Sequence, residues 1–141
     1  MCTRHALLLP AVLACIACGA PSTAPQPRSA MRKGILSGTV TYQEPPPLPP
    51  NAVLRVWVWD TVEPPESSTV GEGKFPVSGP GPLPFEIFFD PALIQRSHLY
   101  VTRASISVDG VVRFESAEPV VVLTQGASSV ALKLVVQRIT R

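Results

Sequence analysis

Two cysteines near the N-terminus, Cys15 and Cys18, are the residues best placed for covalent chemistry. They follow a basic start at Arg4 and His5 and an apolar stretch from residue 6 to about residue 17. That stretch is shorter than the ~20 residues of a transmembrane helix, but it is typical of a signal-peptide core. In a bacterial lipoprotein signal a small residue precedes a cysteine, because the peptidase accepts only a small side chain there and the thiol receives the lipid. The sequence therefore predicts an acylated cysteine.

Cys18 is the preferred lipid acceptor. Ala17 precedes it and Gly19 follows it, whereas the bulkier Ile16 follows the alternative acceptor, Cys15. An ordinary cleaved signal peptide with incidental cysteines is the other interpretation. If Cys18 is the anchor, the mature chain has that cysteine alone, so no disulfide can form. Several acyl chains, at ~0.8 kcal/mol for each buried CH₂ group, would hold the protein on a membrane.

The other reactive residue types form no recognisable catalytic or metal-binding pattern. His98 is the one histidine that follows the signal segment, and we expect it to lie on the surface at the start of a strand. A Ser/His/Asp triad would need His98, yet no serine lies in a nucleophile-elbow motif. The carboxylates are scattered singly, and one histidine without a free thiol does not supply a typical zinc site. The sequence thus predicts a protein that is not an enzyme and that has no metal or other cofactor.

The composition suits one small domain outside the cytoplasm. The net charge is +2 and the basic residues are scattered, so no nucleic-acid partner is expected. Seventeen prolines and nine glycines separate short apolar runs, which favours an all-β fold over helices. We predict a lipoprotein signal peptide over residues 1–17, a flexible Pro/Ser/Ala-rich tether over 18–33 and a β-sandwich domain over 34–141.

Alternating apolar and polar residues predict about seven or eight short antiparallel strands, which indicates a small antiparallel β-sandwich. The segments are 35–42, 51–60, 68–77, 83–90, a hairpin within 98–116, 119–123 and 129–137, the last with Val130, Leu132, Leu134 and Val136 facing inward. A single helical turn is expected after Asp90, which can cap it, with Pro91 at its first position. The proline-rich stretch 43–51 is predicted to be a stiff connection, with docking into a proline-binding groove as the alternative.

The hairpin contains Asp109 and Gly110, which are typical turn residues. A three-residue loop over 108–110 would place Ile106 opposite Val112 on the buried face, whereas a two-residue turn would place Ile106 opposite Arg113 and mix apolar and charged residues there. Because strand register follows the buried face, we predict the three-residue loop.

The stretch NAVLRVWVWD, residues 51–60, places both tryptophans of the chain on one side of a strand. One face carries Leu54, Val56 and Val58, and the other carries Val53, Arg55, Trp57 and Trp59. The aliphatic face suits the core, so the indoles should point away from it and, with Arg55, form a partner-binding patch. The alternatives are that the proline run or the segment 61–82 covers the indoles, or that the faces are reversed and the indoles fill the core.

Three stretches carry short motifs in a characteristic order. They are SGTVTYQEPPPLPPNAVLRVWVWD (37–60), PLPFEIFFDPALIQRSHLYVTRASISVDGVVRFES (82–116) and EPVVVLTQG (118–126). Together they resemble the YbaY/YscW-like lipoprotein family, whose members carry a G-T-V-T-Y strand, an L-P-P segment, an A-V-L strand ending in Asp, and a D-G turn. The chain departs from that pattern at the proline run 45–47 and at Trp57 and Trp59.

The resemblance implies a periplasm-facing β-sandwich that is lipid-anchored to the outer membrane. Gly19 after the acylated cysteine is similar to what outer-membrane lipoproteins of Gram-negative bacteria carry. Some family members are type III secretion pilotins, which chaperone a secretin subunit to the outer membrane, and others are housekeeping lipoproteins. The family brings no catalytic residues and no cofactor.

These observations lead to one expected function and two alternatives. We expect a non-enzymatic, pilotin-like binding or chaperone module that meets an envelope partner through Arg55, Trp57 and Trp59. The first alternative is a structural envelope lipoprotein without a soluble client. The second is a binder of a small apolar ligand held between the sheets.

Overall fold

The computed structural model describes residues 33–43, 47–65 and 67–140. The predicted signal peptide, with Cys15 and Cys18, and nearly all of the predicted tether lie outside these residues. The eight strands are β1 (Gly34–Tyr42), β2 (Leu48–Asp60), β3 (Thr69–Gly79), β4 (Leu83–Phe89), β5 (Tyr100–Val108), β6 (Val111–Ser116), β7 (Val120–Val122) and β8 (Leu132–Arg138). Within the described part of the chain, no helix has the length and apolar character needed to span a bilayer.

All eight strands belong to one sheet in the order β3-β2-β5-β6-β8-β1-β4, and the short β7 pairs with β5. The two end strands, β3 and β4, lie against each other, so that the sheet is nearly closed into a barrel. A side chain at Gly71 on β3 would meet the carbonyl oxygen of Phe88 on β4 at 3.2 Å. The predicted all-β fold of seven or eight strands is confirmed, with the two layers formed by opposite parts of a single sheet.

One pair of neighbours departs from the antiparallel pattern. β1 and β8 run parallel, with Gly38 opposite Leu132, whereas the other pairs are antiparallel. A Cβ atom at Gly38 would lie 2.3 Å from the carbonyl oxygen of Leu132. Glycine at this inward position therefore allows the two strands to approach, which is the close neighbour that a glycine in a strand indicates.

The core lies inside the barrel and is built from the inward sets that the alternation predicts. Its fully buried members include Leu36, Val40, Leu54, Val56, Val58, Ile87, Tyr100, Ile106, Leu134 and Val136. Burial of one such aliphatic side chain contributes about 1.5–3 kcal/mol. One inward assignment was wrong, because Val130 is 56% exposed. Ala131 adopts a left-handed φ of 54° and the strand begins only at Leu132, so the alternation does not extend back to Val130.

The β5–β6 turn also differs from its prediction. Val108 pairs with Val111, so the turn has two residues, Asp109 and Gly110, and both have positive φ (53° and 76°). This is the conformation of a type I′ hairpin turn. A bulge at Arg113 then shifts the register by one residue, because Ser107 pairs with Val112 but Ile106 pairs with Phe114. The buried face is thus restored by a bulge in β6, and the three-residue loop is not needed.

Two connections position the ends of β2 and β4. β2 begins at Leu48, three residues earlier than predicted, and a register shift between Leu48 and Ala52 accommodates Pro49 and Pro50, as prolines in strands usually require. After β4, Asp90 accepts a hydrogen bond from the backbone N–H of Ala92 at 2.9 Å and caps the short 3-10 helix Pro91–Leu93. The predicted single turn is therefore present.

Candidate partner-binding site

The alternation in β2 places its side chains as the sequence predicts. Leu54, Val56 and Val58 are fully buried, whereas Trp57 and Trp59 lie on the outer face of the sheet and are partly exposed. The alternative in which the two faces are reversed is therefore wrong. Both tryptophans of the chain stand side by side on one outer face.

The neighbouring segments lie beside the indoles in the sheet. Glu72 of β3 pairs with Trp57, and Thr69 pairs with Trp59. On the other side of β2, Arg103 of β5 pairs with Trp57. β3 accounts for half of the segment 61–82 and lies in the plane of the sheet, so this strand does not cover the indoles, which remain partly exposed.

The two indoles stack on each other, and an arginine guanidinium lies over each ring. The ring centroids of Trp57 and Trp59 are 6.3 Å apart and the rings are inclined by 25°. Arg55 Cζ lies 4.7 Å from the centroid of the Trp57 ring, and Arg103 Cζ lies 6.0 Å from that of Trp59. A cation over an indole contributes about 0.5–1 kcal/mol at an exposed site. We call these four residues the tryptophan face.

Carboxylates on neighbouring strands form ion pairs with both guanidiniums. Glu72 accepts two hydrogen bonds from Arg55, from Nε to Oε1 at 2.9 Å and from Nη2 to Oε2 at 3.1 Å. Lys74 Nζ lies 3.7 Å from the same carboxylate, and Arg103 Nη1 lies 3.9 Å from Glu115 Oε1. The hydrogen bonds from Arg55, reinforced by the positive charges, hold the pKa of Glu72 below its usual value. Glu72 is therefore ionised at neutral pH and keeps Arg55 in place.

Several donors on the tryptophan face have no acceptor in the described part of the protein. Neither indole N–H donates a hydrogen bond there, and the Nε of Arg103 is buried without a partner. The partly exposed indole N–H groups would lose water if a partner covered them, and an unpaired donor is unfavourable when it is cut off from water. A partner that offers carbonyl or carboxylate acceptors beside an apolar surface would therefore complement this face.

A second cluster, which was not predicted from the sequence, lies at the C-terminal end of β2. We expected His98 to lie on the surface, but its side chain is only 16% exposed and its Nδ1 lies 2.6 Å from Oδ2 of Asp60. Asp60 is 3% exposed. Burial alone would raise the pKa of Asp60, but the hydrogen bonds with His98 and with the backbone N–H of Val62 outweigh burial and lower it. Asp60 is thus a buried, ionised carboxylate.

A sequence signal for this cluster did exist. Asp60 has the same parity as Leu54, Val56 and Val58, so the alternation itself assigns it to the inner face. A buried carboxylate requires a polar partner. Which residue supplies that partner depended on the fold, because His98 lies 38 positions further along the chain.

Comparison with known proteins adds two findings. A family model described as type III secretion system lipoprotein chaperone (YscW) matches residues 31–134. The chain is also similar to the solved structure of an alternative pilotin from the type II secretion system of Vibrio cholerae. The TM-score is 0.71 at 27% sequence identity, over 78% of this chain and 100% of that chain. No curated protein matches the sequence.

Proposed function

This chain belongs to the YscW family of type III secretion system lipoprotein chaperones, and we propose that it acts as a pilotin-like chaperone that is not an enzyme. The family resemblance inferred from the short motifs is confirmed. In our proposal the chain is held on the outer membrane by a lipid at Cys18, faces the periplasm and binds an envelope protein. The partner and the anchor are the new elements of the proposal.

The observation that carries the partner-binding role is the construction of the tryptophan face. Tryptophan and arginine are the residue types that most often dominate the binding energy of protein interfaces. Here the two indoles are partly exposed and stacked on one another, Glu72 holds Arg55 by two hydrogen bonds, and Glu115 forms an ion pair with Arg103. Because these side chains are already ordered, little conformational entropy remains to be lost when a partner binds.

The donors of the tryptophan face define the chemistry of the partner. The indole N–H groups and the guanidiniums of Arg55 and Arg103 donate hydrogen bonds and accept none, and the indole rings offer apolar contact. We therefore propose that the partner presents an apolar segment flanked by carboxylate or free carbonyl groups. An edge strand or an amphipathic helix with acidic residues has this character.

The length of the proposed tether limits how far the tryptophan face can lie from the membrane. In the proposed mature protein, residues 19–33 connect the acylated Cys18 to β1. Fifteen residues can span at most about 50 Å when fully extended. The domain can thus meet a partner that extends from the membrane into the periplasm.

The interior of the barrel does not favour the apolar-ligand alternative. Large side chains such as Tyr100, Leu54 and Ile106 are fully buried between the opposite parts of the sheet. A ligand held in that space would have to displace a close-packed core. We therefore leave an interior ligand out of the proposal.

The partner-binding role is tested by a pull-down from detergent-solubilised envelopes. The wild type is compared with Trp57→Ala/Trp59→Ala and with the control Phe88→Ala, which removes an aromatic side chain that is 52% exposed on β4. We expect the wild type and the control to recover one envelope protein that the double variant does not recover. All three proteins should give the same far-ultraviolet circular dichroism, which shows that the double variant is folded. Equal recovery by all three would overturn the tryptophan face. Recovery of nothing by the wild type would favour the structural lipoprotein.

The anchor is tested separately by metabolic labelling with a fatty acid. Cys18→Ser should abolish the label and release the protein from the membrane fraction, whereas Cys15→Ser should leave both unchanged. Loss of the label in Cys15→Ser alone would move the anchor to Cys15. If neither the wild type nor a variant is labelled, the lipid anchor is overturned and the N-terminal segment is an ordinary cleaved signal peptide.

A further inference from the structure

The segment that follows β2 carries a second titratable side chain beside the Asp60–His98 pair. The ligating atoms of Asp60, Glu63 and His98 all lie within 4.8 Å of one another. A cavity of about 190 Å³ adjoins the two carboxylates, and its lining includes Asp60, Glu63, Ser67 and Thr69. Because one water molecule occupies ~30 Å³ in the liquid, this cavity has room for an ion and several water molecules.

The backbone that carries these side chains is held in place. Oδ1 of Asp60 accepts the N–H of Val62 at 2.9 Å, which fixes the plane of the carboxylate. The hydroxyl of Thr124 donates to the carbonyl oxygen of His98 at 2.8 Å. Thr61 donates from its N–H to the carbonyl oxygen of Leu99 at 2.9 Å, which joins the segment after β2 to the segment before β5.

The donor set is one imidazole and two carboxylates, which suits a borderline divalent transition metal such as Zn²⁺. A calcium ion would need about 6–8 oxygen ligands, more than these residues supply. Zinc binds nitrogen and carboxylate oxygen at about 2.0–2.2 Å in a tetrahedral arrangement, so two ligands of one ion lie about 3.4 Å apart. The ligating atoms here lie within 4.8 Å of one another, and a change of rotamer at the exposed Glu63 side chain can bring its carboxylate closer to the other two ligands.

We propose that Asp60, Glu63 and His98 form a binding site for a divalent transition-metal ion, with water in the remaining positions. When the ion binds, it replaces the direct contact between His98 Nδ1 and Asp60 Oδ2. The ion then joins the end of β2 to the segment before β5, next to Trp59. The proposal does not depend on the tryptophan face or on the lipid anchor, because it rests on the cluster alone.

The test is a calorimetric titration of the full-length protein with Zn²⁺, after a chelator has removed bound metal and iodoacetamide has blocked free thiols. Wild type is compared with Glu63→Gln and with the matched control Glu118→Gln, which neutralises an exposed carboxylate elsewhere on the surface. Glu63 is exposed as well, so neither variant should change the fold. His98→Gln is a third variant that removes the imidazole.

We expect one saturable site in the wild type and in Glu118→Gln, and an affinity that falls roughly tenfold or more in Glu63→Gln. Zn²⁺ should also raise the Tm of the wild type more than that of Glu63→Gln, because an ion that binds only the folded protein stabilises it. No saturable binding by the wild type would overturn the proposal. Equal affinities in wild type and Glu63→Gln would do so as well, since the bound Zn²⁺ would then lie elsewhere. If His98→Gln fails to fold, the comparison of Glu63→Gln with Glu118→Gln decides whether Zn²⁺ binds at the proposed site.

Discussion

The two faces of β2 differ in what holds their side chains in place. On the inner face Leu54, Val56 and Val58 have no exposed surface and are held by close packing. On the outer face Trp57 and Trp59 remain partly exposed and are held by guanidiniums, which are in turn held by carboxylates. Large aromatic side chains can therefore be ordered at a surface without being buried. Such a surface is available to a partner, whereas the inner face is not.

The largest expected effect on stability comes from the inner face. Leu54→Ala should lower the free energy of unfolding by about 2–5 kcal/mol, because it removes buried methyl groups and leaves a cavity. Val53→Ala, one position away on the outer face, should change it by less than about 0.5 kcal/mol. Urea denaturation of both variants measures the difference. Equal losses would show that the two faces of β2 are not as different as their exposure indicates.

Substitutions on the outer face of β2 should affect partner binding more than they affect stability. Trp57→Ala/Trp59→Ala should weaken the binding of the partner by about 2 kcal/mol or more, which is a roughly thirtyfold increase in Kd. The same double variant should lower the free energy of unfolding less than Leu54→Ala does. Surface plasmon resonance with the recovered partner gives the affinity. Because the chain has no other tryptophan, the intrinsic fluorescence of the wild type should also change on binding. An unchanged affinity in the folded double variant would contradict the proposed role.

Asp60 is a carboxylate on the otherwise apolar inner face of β2. Its contribution to the free energy of unfolding should depend on pH. Its pKa in the folded protein lies below the ordinary value of 3.8, so the folded state binds the proton less readily than the unfolded state. The stabilisation is therefore complete above about pH 5 and is lost as the pH falls through the lowered pKa. Asp60→Asn should lower the free energy of unfolding by about 1–3 kcal/mol at neutral pH.

Urea midpoints between pH 2 and pH 7 test this expectation. The wild type should lose more stability than Asp60→Asn between neutral pH and pH 2, so the two curves should converge in acid. Parallel curves would show that Asp60 does not contribute to the pH dependence. Glu118→Gln serves as a control for the loss of one exposed carboxylate.

The smallest expected effect concerns the support of the outer face. Glu72→Gln weakens the paired hydrogen bonds that hold Arg55 over Trp57. For a partly exposed ion pair the change in the free energy of unfolding should be only about 0.2–1 kcal/mol. The tryptophan emission spectrum should nevertheless shift, because Arg55 is no longer fixed over the ring. An unchanged spectrum would show that Glu72 does not position Arg55.

Much of the fold could be predicted because its signals are local. The period-two pattern of residues 51–60 gave the correct faces of β2, and Asp90 and Pro91 indicated the helical turn that follows β4. The parallel pairing of β1 with β8 carries no such local signal. The turn at Asp109 and Gly110 was mispredicted because the bulge at Arg113 restored the buried face by another route.

The candidate site divides in the same way. Alternation alone placed Arg55, Trp57 and Trp59 on one outward face, and the motifs alone identified the family. That Glu72 and Arg103 complete the face could not be found by pattern, because they come from strands that pair with β2.

The sequence by itself therefore determined which way each side chain of a strand points, since successive residues of an extended chain face opposite sides whatever lies next to them. Only the tertiary structure decided which strands lie side by side and in what register. Those choices depend on turns, bulges and the burial of the whole core, which act over the full length of the chain. They place Glu72 against Arg55, Arg103 over Trp59, and His98 beside a carboxylate that the alternation had already turned inward.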